Sequence, residues 1–189
     1  MLGLRSSVVG VATMVLVGMG GAQSGQAMET FPMPSAIKDE QYRLKAEELI
    51  LGVNLLAAAG YSFDDLPPDV LAIYYSDFFL VEVVERDVAG FRAEFLPLSP
   101  ETERDIAQSL DRIGAIGMKD IFQRDVLAKT VANPADIDMR IAETRKSESI
   151  DKLASDLFDR SSQIEWLEDA EVNARLARLA LDRKLSGSD

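Results

Sequence analysis

The chain has 189 residues, 47% of them hydrophobic, with 32 acidic side chains against 20 basic ones and neither histidine nor cysteine. The two missing residue types exclude the common zinc sites, histidine-based triads, cysteine nucleophiles and disulfides. A net charge of −12 disfavours nucleic acid and anionic lipid as direct partners and leaves a protein with a basic surface as the favoured one.

The N-terminus carries Arg5, then the apolar run from Val8 to Met19, then small residues from Gly20 to Ala27. A positive end, an apolar middle and a small-residue finish are the three parts of a secretory signal peptide, so residues 1–27 are expected to be removed on export to the periplasm or medium. The run is too short and too glycine-rich to span a bilayer, so no membrane association is expected after cleavage. Beyond Ala27 lie 19 basic and 32 acidic residues, a net charge of −13.

Residues 28–38 hold Pro32 and Pro34 with little periodicity and read as a linker, leaving 39–189 as one acidic helical domain. A first helix is expected from Lys38 to Ala59. Leu44, Ala46, Leu49, Ile50, Val53, Leu56 and Ala57 recur at helical spacing there, and Gly60 stands at the stop position. After Asp65, Pro67 and Pro68 open a second helix that runs to about Glu85. Its apolar residues circle the barrel, which predicts a buried, central helix. Val81 to Val84 is β-branched enough for a strand, but without a partner strand in prospect a helix is favoured.

Ser99-Pro100-Glu101 gives an N-cap, a first-turn proline and a favourable acidic charge for a helix ending near Gly114. Further helices are expected from Met118 to Ala132, Ala135 to Arg145, Ser149 to Ser161 and Ile164 to Leu185. In the last of these Leu167, Ala170, Ala174, Ala177, Leu181 and Leu185 would form the buried stripe, and the tail from Gly187 would fray. With no hairpin signal, the fold class is all-α: one bundle of six or seven helices around the apolar second helix.

No phosphate-binding loop is present, and no catalytic residue, metal ligand or cofactor site is expected. The chemistry left to an enzyme is a carboxylate pair, for which Asp77, Glu82 and Glu85 on the apolar second helix are the candidates for a hydrolase. Asp77 and Glu82 do not share a helix face. Glu82 and Glu85 do, with Arg86 four residues on from Glu82 as an ordinary ion-pair partner. Between Ser62 and Glu94 eight acidic residues face only Arg86 and Arg92, which makes this stretch the candidate binding face. Its expected partner-binding residues are Asp64, Asp65, Asp69, Glu85, Asp87 and Glu94.

The stretch Leu66-Pro67-Pro68-Asp69-Val70, then Tyr74, Phe78, Phe79, Glu82-Val83, Gly90-Phe91 and Phe95, with Ala107, Leu110 and Ile113-Gly114-Ala115 beyond, resembles the bacterial DNA mimic protein nineteen family. The likeness runs from about Leu49 to Leu127. The family pattern Glu-Val-Asn-Asn-Gly-Gly-Phe is met here at Glu82, Val83, Gly90 and Phe91, while Val84 to Ala89 replaces the asparagines and the first glycine with a longer insert. The resemblance implies an all-α fold and an acidic surface that imitates DNA phosphates to occupy a DNA-binding protein. An exported chain does not meet such a protein in the cytoplasm. The expected function is therefore a non-enzymatic, exported protein-interaction domain, with DNA mimicry as the alternative for a chain that stays inside and a carboxylate hydrolase as the other.

Overall fold

The computed structural model describes residues 27–131 and 133–186, so the signal-like residues 1–26 and the tail from Gly187 lie outside the described part. Among the described residues the fold is all-α but for one pair of short strands. β1 (Phe31–Pro34) is followed by α1 (Tyr42–Ala58), α2 (Pro68–Phe79), a π-helical continuation (Leu80–Arg86) and α3 (Val88–Phe95). Then come α4 (Pro100–Ile113), α5 (Ile116–Ile121), a π-helical turn (Phe122–Val126), α6 (Pro134–Thr144), α7 (Ile150–Arg160), β2 (Ile164–Leu167) and α8 (Asp169–Ser186).

Local chemistry sets several of these boundaries. Ser99 caps α4 by accepting from the Thr102 amide, Pro100 occupies its first turn, and Gly114 closes it at φ 92°, a conformation costly for a residue with a Cβ. Asn133 accepts from Ala135 N ahead of Pro134 at the start of α6. The β-branched stretch Val81–Val84 stays helical, wound as a π-helix, and Asp87 ends it while capping α3 through a 2.5 Å bond from Gly90 N. Val88–Phe95, a stretch not expected to be helical, forms α3. Phe78, Phe91 and Phe95 stack edge and face around one another to hold that short helix against α2.

α2 buries Val70, Ala72, Ile73, Tyr74, Tyr75, Phe78 and Phe79, and its neighbours in space are α4, α7, α1 and the π-helical continuation. Apolar side chains from almost every element, from Phe31 of β1 to Leu176 of α8 in chain order, complete a single core.

Two expectations are corrected. The stretch expected to be a linker is in part a strand: β1 pairs in parallel with β2, Phe31 opposite Ile164 and Pro34 opposite Leu167, and Phe31 N donates to Gln163 O at 2.8 Å. Phe31 and Met33 are fully buried, and their burial outweighs the prolines that marked the segment as irregular. The last helix accordingly starts at Asp169, and its buried residues are Val172 and Leu176, with Leu179 partly covered. Ala170, Ala174, Ala177, Leu181 and Leu185 are exposed instead. The buried seam runs through Val172, Leu176 and Leu179, spaced four and three apart, and Ala170, Ala174 and Ala177, with less apolar area to remove from water, fall outside it.

Candidate interaction surface

Half of the acidic stretch is drawn into the fold: Asp65, Asp69 and Glu82 are buried and Asp77 half-buried, while Asp64, Glu85, Asp87 and Glu94 are exposed. Asp69, buried on the first turn of α2, receives Arg112 Nε at 2.5 Å on one oxygen and Ser161 Oγ at 2.6 Å on the other, while its amide donates to Gln163 Oε1. One side chain thereby ties α2 to α4 and to the α7–β2 connection. Asp65 plays the same part nearby: it accepts from Ser62 N and pairs with Arg183 at 3.0 Å, and Arg183 also donates to Gly60 O and lies over the Tyr61 ring. This pins α8 to the loop before α2.

Arg86 sits between Glu82 at 2.8 Å and Glu94 at 2.6 Å, and Arg43 of α1 grips Glu85 at 3.1 Å. Of the residues expected to meet a partner, Asp64 and Asp87 alone stand exposed without an ion pair among the described residues, Asp87 being the cap of α3. Of the family-motif positions, Glu82 and Val83 are buried in the π-helix, Phe91 is buried in α3, and Gly90 supplies the amide that Asp87 accepts.

The three candidate catalytic carboxylates are held apart by different partners. Asp77 is half-buried and accepts from the Tyr42 hydroxyl at 3.2 Å; burial pushes its carboxyl up to about 6, against the lowering pull of Tyr42 and Arg43. Glu82 is raised as well, again chiefly by burial, with Arg86 opposing. The Tyr42 hydroxyl, between Phe158 and Asp77, is driven well above its ordinary value by burial and by the Asp77 charge. None of the three lines the groove formed by β1, α1 and α8.

That groove lies elsewhere, where β1 crosses α1 and α8. It has a volume of about 430 Å³, within the range of ligand-binding clefts. Its apolar walls come from Pro32, Met33 and Pro34 of β1, Leu51, Gly52 and Leu55 of α1, and Val172 and Leu176 of α8. Leu51 is 60% exposed and Leu55 48%, a large apolar display for two leucines one helical turn apart.

The charged residues that line the groove are Glu48 and Asp169, joined by the amide of Asn173. Neither carboxylate has a hydrogen-bond or ion-pair partner among the described residues, in contrast to Asp65, Asp69, Glu82, Glu85 and Glu94. The groove depends on a residue without a side chain. A Cβ at Gly52 would stand 2.8 Å from Phe31 Cζ, so glycine is what lets β1 lie against α1.

No motif in the sequence marks this surface. Its one signal was that Leu51 and Leu55 fall off the main apolar stripe of α1, four residues apart, with Glu48 a turn before Leu51. Among the described residues no helix is long and apolar enough to cross a membrane, and no cluster of three or more carboxylates is placed to hold a metal ion. No protein-family model, curated protein or solved structure matches the chain.

Proposed function

We propose that this chain is a non-enzymatic protein-interaction domain, acting outside the cytoplasm where its signal-like N-terminus would deliver it, and that it binds its partner through the groove between β1, α1 and α8. The observation that carries the reading is the combination of exposed Leu51 and Leu55 with two acidic residues that have no partner among the described residues. Apolar area kept in water costs free energy that a bound partner would recover, at about 25 cal/mol per Å² covered. The acidic stretch from Asp64 to Glu94, by contrast, has most of its charge answered by Arg43, Arg86, Arg112 and Arg183, which supports placing the binding face elsewhere.

Affinity capture from the compartment in which the protein resides tests this. A specific partner retained by the native chain and by Asp64→Lys/Asp87→Lys, and lost with Leu51→Gln/Leu55→Gln, is the expected result. Loss with the first pair and retention with the second would return the binding face to the acidic stretch.

A further inference from the structure

Resting on the groove reading above, we infer that the occupant is a short apolar peptide segment that carries a lysine or arginine, held by its side chains and not by strand addition. The first half of this follows from charge. Every charged residue lining the groove is acidic, Glu48 on one side and Asp169 on the other, so a cationic group beside an apolar one meets complementary walls on both counts. A second copy of this chain, with its own net charge of −13 beyond Ala27, would bring like charge to the same rim.

The second half follows from the strand. Phe31 donates to Gln163, so the amides of residues 31 and 33 face β2, and the alternation of a strand turns residues 32 and 34 to the outer edge. Both are proline. That edge therefore offers carbonyls and no N–H, and an added strand would find half of its ladder missing. Peptide recognition through strand addition relies on that ladder, whereas insertion of side chains into an apolar groove does not. A volume of about 430 Å³ has room for a few side chains and not for a folded element.

Selection from a random twelve-residue peptide library displayed on phage, against the full chain, tests the inference. The native chain is expected to enrich peptides that join apolar residues to lysine or arginine, and Leu51→Gln/Leu55→Gln to lower that enrichment about tenfold or more. Glu48→Lys/Asp169→Lys is expected to turn the preference toward glutamate and aspartate, while the charge-matched pair Glu143→Lys/Asp156→Lys, on α6 and α7, leaves it basic. An equal response of the two reversed variants would show general attraction to an acidic protein and overturn the inference. So would enrichment that ignores Leu51 and Leu55, or a dimer in sedimentation that dissolves when those leucines are replaced. Failure here alongside specific capture through Leu51 and Leu55 would leave the function standing and remove only the peptide class. Failure of that capture removes the function itself.

Discussion

The ring edge of Phe31 occupies the space where a side chain on Gly52 would begin, with Cζ 2.8 Å from the position of a Cβ and Leu176 Cδ1 another 3.7 Å from it. Phe31 is fully buried, so it has no open side to which it can swing. Gly52→Ala is expected to destabilise the fold by about 1–3 kcal/mol, as overpacking of a core contact does, despite the better helix propensity of alanine. Urea unfolding would read this as a lower midpoint with an unchanged slope. A neutral or stabilising result would mean that β1 does not press on α1.

Asp69 and Asp64 differ in what surrounds them, though they are near neighbours in the acidic stretch. Asp69→Ala leaves Arg112 and the Ser161 hydroxyl without their acceptor and is expected to cost about 2–4 kcal/mol, toward the lower end because Arg112 is partly exposed. Asp64→Ala is expected to stay within about 0.5 kcal/mol of the native chain. Thermal or urea unfolding of the two variants side by side checks the contrast.

Asp77 predicts a pH dependence of definite sign. Its folded pKa of about 6 lies above the ordinary value of 3.8, so the folded state holds the proton more tightly than the unfolded chain does. The resulting stability is fully present below about pH 4 and is lost as the pH rises through 6. Asp77→Asn keeps an acceptor for the Tyr42 hydroxyl without the buried charge. It is expected to be more stable than the native chain by about 1–2 kcal/mol at pH 8 and equal to it near pH 4, measured by unfolding across that range.

β1 gives a prediction on the N-terminal side of α1. Removing residues through Pro34 deletes Phe31 and Met33 from the core and strips β2 of its pairing. Two buried side chains of this size account for several kcal/mol, on the order of 2–5 each, so the shortened chain is expected to lose cooperative unfolding or to melt far below the longer one. An unchanged melting transition would restore the linker reading of residues 28–38.

How much of this was legible in the sequence varies with the kind of signal. The starts of α2, α4 and α6 were marked by Pro68, Ser99-Pro100 and Asn133-Pro134, and the end of α4 by Gly114, because caps and prolines act on the chain locally. The strand pair was not marked. Phe31 and Ile164 lie far apart in sequence, and nothing local to either predicts that they meet in parallel. The same limit hid the ion pairs of the acidic stretch. Asp65 and Arg183, or Asp69 and Arg112, find each other only once the helices are stacked, so a run of carboxylates that looked open in one dimension is largely answered in three. Glu82 with Arg86 was visible, being one helical turn apart. The groove was invisible for a related reason, since it needs β1, α1 and α8 at once.

The central claim is that the partner is met at the groove, and site-specific photocrosslinking tests it most directly. A benzophenone side chain placed at Leu51 in one version of the protein and at Asp64 in another reports which face lies within reach of a partner in the native compartment. A discrete crosslinked species from position 51, abolished by Leu55→Gln, with none from position 64, is the predicted result. A discrete species from position 64 and none from position 51 would contradict it.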